Sequence, residues 1–186
     1  MRIVAGSIRG KKLVSPIGET TRPTHERTRE AVFSALQTLV LGARVLDCFA
    51  GSGAMALEAI SRGAESAVLI EMDQSAAQVI GQNIALCRME KQARLLQGDA
   101  IQALEGLTGP FDLVLLDPPY GKGLIEQALE VLTRRSLLSS DAVLVAETAA
   151  GEELDVPEGL SIYKEKKYGK NLVRFIRLSS DTDTEM

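Results

Sequence analysis

The chain has 186 residues, 45% of them apolar, which is enough for one well-buried domain. It holds no apolar run of about 18 residues that could span a membrane, and its start, Met1-Arg2-Ile3-Val4-Ala5-Gly6, lacks the apolar stretch of a signal peptide. Net charge is −4, His25 is the only histidine, and Cys48 and Cys87 lie far apart, which counts against a histidine-centred triad, a metal centre and a disulfide framework. A cytoplasmic protein with two buried, reduced thiols and no bound metal is expected.

Residues 2–6 and 11–15 read as short strands around Ser7-Ile8-Arg9-Gly10, a hairpin. A polar loop follows. Thr24 is placed to cap a helix from His25 to Val40, in which Ala31, Val32, Ala35, Leu36 and Leu39 recur at helical spacing. From Ala43 strands and helices alternate. The strands fall at 43–49, 66–71, 93–97, 111–116 and 141–147, and the helices near 54–62, 74–88, 99–107 and 123–135. Such alternation implies an α/β fold, a parallel sheet with helices on both faces and right-handed crossovers. Residues 160–166 and 171–178 read as a closing hairpin that adds antiparallel edge strands. The organisation expected is an N-terminal hairpin-and-helix extension (1–40), one domain (41–178) and a disordered polar tail (179–186).

Charge is unevenly spread. Residues 1–30 carry seven Arg or Lys against three Glu, a balance of +4, which leaves −8 on the remainder. A second basic cluster is Lys164, Lys166, Lys167 and Lys170. Basic residues at both ends of an acidic core can form one face that meets phosphates, although ordinary solvated faces explain the same pattern.

The polar residues at the strand ends carry the chemistry. Asp47-Cys48-Phe49-Ala50-Gly51-Ser52-Gly53-Ala54 joins the first sheet strand to its helix, and Gly51 and Gly53 allow a tight turn and close approach of a ligand. Glu71 ends the next strand, where a carboxylate can accept ribose hydroxyls. Asp99 ends the third and could take an adenine amino group. Each acid could instead be a helix cap. Their recurrence at one sheet edge beside a Gly-x-Gly turn favours a ligand site. Gly51 to Ala56 also fits the relaxed dinucleotide fingerprint Gly-x-Gly-x-x-Ala, but no histidine stands near the edge to serve hydride chemistry.

After the apolar run Leu113-Val114-Leu115-Leu116 come Asp117-Pro118-Pro119-Tyr120. Two prolines remove two donors and stiffen the chain. A carboxylate, free carbonyl oxygens and an aromatic ring remain in a fixed array. That array suits a planar ring bearing an exocyclic amine, with oxygens for its N–H groups and tyrosine for its face. A rigid turn is the plainer reading of the same four residues.

Taken in order, Asp-x-Phe-x-Gly-x-Gly, Glu71, Asp99 and Asp-Pro-Pro-Tyr resemble a class I, Rossmann-like S-adenosylmethionine-dependent methyltransferase over residues 43–178. Arg2-Ile3-Val4-Ala5-Gly6 with Arg9-Gly10-Lys11-Lys12-Leu13, and Thr21-Arg22-Pro23-Thr24 with Arg29-Glu30-Ala31-Val32-Phe33, narrow the resemblance to the RsmD family. Those enzymes methylate a guanine N2 in 16S ribosomal RNA. The resemblance implies S-adenosyl-L-methionine as cofactor and 16S rRNA, within the small ribosomal subunit, as partner of a monomer. It implies a cofactor site of Asp47, Phe49, Gly51, Gly53, Glu71, Met72, Asp99, Ala100 and Asp117. Asp117, Pro118, Pro119 and Tyr120 would hold the target base. Arg2, Arg9, Lys11, Lys12, Arg22, Thr24, Arg29 and Lys167 would contact RNA. The tetrapeptide also serves DNA amino-methyltransferases, but about 40 extra residues leave little room for a target-recognition region. A protein-glutamine methyltransferase prefers Asn at position 117. A non-catalytic RNA-binding assembly factor remains the alternative of a different class.

Overall fold

The computed structural model describes residues 1–16 and 23–179, without the side chains of residues 23–25. Arg22 and the tail beyond Ser179 therefore lie outside the described residues, as does the Thr24 side chain.

The helices and strands follow the apolar periodicity. They are α1 (Pro23–Leu36), β1 (Arg44–Asp47), α2 (Ala54–Ser61), β2 (Ser66–Glu71), α3 (Gln74–Cys87), β3 (Ala93–Gln97) and α4 (Ala100–Gly106), then β4 (Phe111–Leu116), α5 (Leu124–Arg134), β5 (Leu138–Ala149), β6 (Leu160–Tyr168) and β7 (Asn171–Leu178). The seven strands form one sheet in the order β3-β2-β1-β4-β5-β7-β6. Strands β1 to β5 pair in parallel, and β7 runs antiparallel between β5 and β6. The strand order reverses between β1 and β4, so a crevice opens there at the carboxyl ends.

Side-chain alternation divides the core into two layers. Leu113 and Leu115 pack on one face of β4 with Phe33 of α1, Leu57 of α2 and Ile80 of α3. Val114 and Leu116 pack on the other with Leu104 of α4 and Leu129 of α5. Residues 113–116 are buried on both faces, which is why the run is continuously apolar. In α5, Ile125, Ala128, Leu129 and Leu132 are buried at the spacing of one helical stripe. Among the described residues, no helix is long and apolar enough to cross a membrane.

Three expectations are corrected. The N-terminal hairpin is reduced to a single antiparallel bridge, Arg2 with Lys12. The amides that would extend the ladder are used elsewhere. Val4 and Ala5 donate to the Glu58 carboxylate at 2.7 and 2.9 Å, and Ser7 donates to the Ser61 carbonyl. The chain lies so close to α2 that a Cβ on Gly6 (φ +87°) would stand 1.8 Å from the Ser61 carbonyl oxygen. The first helix is displaced toward its start. It begins at Pro23, a residue preorganised for a first helical position, so Thr24 lies inside the first turn and is not its cap. It ends at Leu36, and residues 37–40 tighten into a 3-10 turn after Gln37 adopts φ 48°. Strand β5 runs longer than 141–147, because Leu138 pairs with Phe111 across a bulge in register.

The first residues belong to the core. Ile3 and Leu13 are buried in the same layer as Phe33 and Leu57. Glu58 is fully buried and also meets Arg62 at 2.7 Å and Arg29 at 3.4 Å.

Candidate active site

The carboxyl ends of adjacent strands place one acid beside another. Asp47 closes β1, where Cys48 donates to the Leu115 carbonyl and so ties the turn to β4. Its side chain is buried, and Oδ2 has no hydrogen-bond partner. Burial pushes this carboxyl up to about 7. The N–H groups of Phe49 and Ala56 pull it back, and the Glu71 charge adds to the rise. An unpartnered buried carboxylate oxygen is costly unless a ligand donor reaches it.

The turn that follows is built for close approach. Ala50 donates to the Ile70 carbonyl and Gly53 to the Ala50 carbonyl, which curls the chain into α2. Gly53, at φ 77°, begins that helix, and a Cβ there would stand 3.1 Å from Leu69. Glu71 closes β2 and braces the turn: its Oε2 accepts from the Gly51 amide and its Oε1 from the Asp73 amide, both at 2.8 Å. Carboxylate oxygens accept more than one bond, so these contacts leave capacity for ribose hydroxyls. The next residue, Met72, is 71% exposed, an apolar surface free to cover a ligand ring. Asp99 accepts from the Gln102 amide at 2.9 Å through Oδ1 and caps α4, a bond that leaves Oδ2 able to accept another. Ala100 is the buried first residue of that helix.

Asp117 leaves β4 one residue beyond Leu116 and faces a cavity of about 240 Å³. The same cavity is lined by Asp47, Phe49, Ala50, Gly51 and Ser52 from β1 and its turn, by Met1 and Arg29, and by Glu147 and Asn171 from β5 and β7. One space thus joins the glycine turn to Asp117, the first residue of the Asp-Pro-Pro-Tyr segment. Gly53, Glu71, Met72, Asp99 and Ala100 continue along the sheet edge without lining it. Pro118, Pro119 and Tyr120 line a separate, smaller hollow with Glu152 and Leu154. Pro118 is buried, while Tyr120 is 44% exposed and donates its hydroxyl to Glu147 at 3.2 Å. Burial, then the charges of Glu147 and Asp117, raise the phenol above the usual tyrosine range and keep it a donor.

Sequence reasoning missed Met1, Glu147 and Asn171. Glu147 had a signal, since it is a carboxylate near the end of an apolar strand run, like the acids that were singled out. Met1 and Asn171 had none; tertiary folding alone brings the first residue and the start of β7 to the cavity.

Among the basic residues, Arg9, Lys11, Lys12 and Lys167 are exposed, and Arg2 is exposed while pairing with Glu26 at 3.4 Å. Arg29 is corrected. It is only 4% exposed, pairs with Glu58 and donates to the Arg2 carbonyl. Its guanidinium holds the N-terminal segment against α2 and is not available on the surface for phosphates.

Comparison with known proteins identifies the family. The family described as "Conserved hypothetical protein 95" matches residues 1–177. "Ribosomal RNA small subunit methyltransferase D" of Escherichia coli strain K12 is 35% identical over 186 residues, covering 100% of this chain and 93% of that protein. The protein of the same description from Haemophilus influenzae is 34% identical over 172 residues, covering 91% of this chain and 89% of that one. A solved structure, "Putative methyltransferase yhhF from Escherichia coli", superposes with a TM-score of 0.87 at 36% identity, covering 97% of this chain and 99% of that one. Neighbouring acids at the carboxyl ends of a 3-2-1-4-5-7-6 sheet, a glycine turn and the matched length of the relatives converge: the chain belongs to the conserved hypothetical protein 95 family, the RsmD-type methyltransferases.

Proposed function

We propose that this protein transfers a methyl group from S-adenosylmethionine to the exocyclic N2 of one guanine in the 16S RNA of the small ribosomal subunit. The observation that carries the reading is the single cavity shared by Asp47, Gly51 and Asp117. The unpartnered Asp47 Oδ2 fits the ammonium of the methionine end, the open glycine turn admits the chain beside it, and Glu71 and Met72 suit ribose and adenine. When bound, S-adenosylmethionine supplies an already activated methyl on a sulfonium.

The protein's part is positioning. Guanine N2 is a weak nucleophile because its lone pair is delocalised into the ring. Asp117 and the Pro118 carbonyl would accept its two protons and favour a pyramidal nitrogen whose lone pair faces the methyl. Orientation of this kind can contribute several kcal/mol, of the order of 7–11 in the best intramolecular cases. The proton released from the product nitrogen passes to Asp117 or water. A base must leave its stack to enter, at a cost of a few kcal/mol. Stacking on Tyr120 would return about 1–3 kcal/mol. Arg2, Arg9, Lys11, Lys12 and Lys167 would hold phosphates.

The test is to incubate the protein with methyl-labelled S-adenosylmethionine and unmethylated small subunits or naked 16S RNA, digest the RNA and identify the labelled nucleoside. N2-methylguanosine is expected. Label in another nucleoside would overturn the target, and no label on either substrate would overturn the reading.

A further inference from the structure

Glu147 stands next to Asp117 in the sheet and has no part in the roles assigned so far. Strands β4 and β5 pair with Leu115 opposite Val145 and Leu116 opposite Ala146. The next step in that register sets Asp117 beside Glu147, one strand spacing away, roughly 4.8 Å. Both side chains line the same cavity. On the far side of β5, Asn171 opens β7 and lines it too.

The hydrogen bonds to Glu147 use one of its two oxygens. Tyr120 donates its hydroxyl, and Asn171 donates its side-chain amide, both to Oε1. Among the described residues no donor reaches Oε2. Asn171 has a second amide proton beyond the one given to Glu147. The sheet edge therefore presents, from β4 through β5 to β7, an acceptor, an acceptor and a donor.

Guanine's Watson–Crick edge presents the complement in the same order: the N2 amine donates, N1–H donates, and O6 accepts. Adenine presents an acceptor at N1 and cytosine an acceptor at N3, and either would meet the Glu147 carboxylate lone pair to lone pair. Flipped bases are read at this edge. We infer that Glu147 is the specificity-determining residue of this site: its carboxylate accepts the guanine N1–H while Asp117 takes the N2 amine, with Asn171 directed at O6. The inference rests on guanine N2 being the acceptor.

The test replaces one atom pattern on the base and one on the protein. Small subunits are reconstituted from ligated 16S RNA carrying guanine or 2-aminopurine at the mapped target. 2-Aminopurine keeps the 2-amine but has a lone pair at N1 and lacks O6. The wild-type protein should prefer guanine by about 10–100-fold in kcat/KM, the ratio expected for one hydrogen bond to a charged group. Glu147→Gln offers either an amide oxygen or an amide N–H, so it should accept both bases and lower that preference at least about tenfold. Tyr120→Phe removes the same hydroxyl contact to Glu147; it should slow transfer to both bases while keeping the ratio. A ratio unmoved by Glu147→Gln, or moved equally by Tyr120→Phe, would reduce Glu147 to an anchor for Tyr120 and overturn the inference. Absence of wild-type transfer to guanine N2 would overturn the parent reading along with it. Transfer by the wild type to both bases at equal rates would leave the parent reading standing and overturn this one.

Discussion

Replacing Glu58 with alanine should destabilise the fold without touching the reacting groups. The carboxylate is fully buried and accepts the Val4 and Ala5 amides at 2.7 and 2.9 Å and the Arg62 guanidinium at 2.7 Å, with Arg29 at 3.4 Å. Removing it strands the Arg29 charge inside and two backbone donors at the N-terminal segment. Breaking a buried pair from one side costs about 3–5 kcal/mol, most of it the penalty on the partner left behind. Water that reaches Val4, Ala5 and Arg62 will offset part of the forfeited amide bonds, so the lower half of that range is the expectation. For a chain of this length about 1 kcal/mol moves Tm by roughly 2–4 °C, so a fall near 10 °C is predicted. Thermal and urea unfolding at one protein concentration measure it. Glu58→Gln, which keeps the volume and one acceptor, should fall between wild type and alanine. Because Met1 lines the cavity, a loosened N-terminal segment should also weaken cofactor binding in protein that is still folded. A Glu58→Ala protein within about 1 kcal/mol of wild type would refute the claim that this carboxylate holds the segment in place.

Other outcomes follow from the same geometry. Asp117→Ala should cut methyl transfer by about 10²–10³-fold, the order seen when one preorganised hydrogen-bonding group is removed, while equilibrium binding of S-adenosylmethionine changes little; undiminished turnover would remove Asp117 from its role. The Asp47 carboxyl titrates near 7 folded and near 3.8 unfolded, so the folded state binds more protons between those values. Stability of the ligand-free protein should therefore be greatest below pH 3.8 as regards this group and fall as pH rises to about 7, by an amount on the order of 4 kcal/mol. Asp47→Asn should flatten that dependence in pH-resolved urea titrations, and an unchanged slope would count against the buried charge. Binding of the cationic cofactor below pH 7 should release a proton, seen as a buffer-dependent enthalpy that Asp47→Asn abolishes. Lys11→Ala with Lys12→Ala should weaken RNA binding and lower the salt slope by about one for each phosphate no longer neutralised, whereas Arg29→Ala should lower stability instead; an unmoved slope in the lysine variant would take both lysines out of the interface.

The parts legible in the sequence are those governed by local periodicity. Strand β4 could be read from four consecutive apolar residues because a parallel strand is buried on both faces, and α5 from its single apolar stripe. The strand-end acids were legible because a polar residue that ends an apolar run marks the edge of the sheet, and this pattern alone placed Asp47, Glu71, Asp99 and Asp117 there. The N-terminal ladder was misread because its donors are claimed by Glu58, a partner more than fifty residues away. Arg29 was misread for the same reason: a guanidinium on a helix looks like a phosphate ligand until a buried carboxylate is packed against it. The Asp99 cap and the placement of Met1, Glu147 and Asn171 around the cavity depend on which atoms meet in space. Sequence alone therefore determined the α/β class, the order of the strands along the chain and the chemical kind of the site, since these follow from patterns only a few residues long. Tertiary structure alone decided which charges are buried and paired, and which residues share one cavity, because those outcomes depend on packing between segments that no local pattern connects.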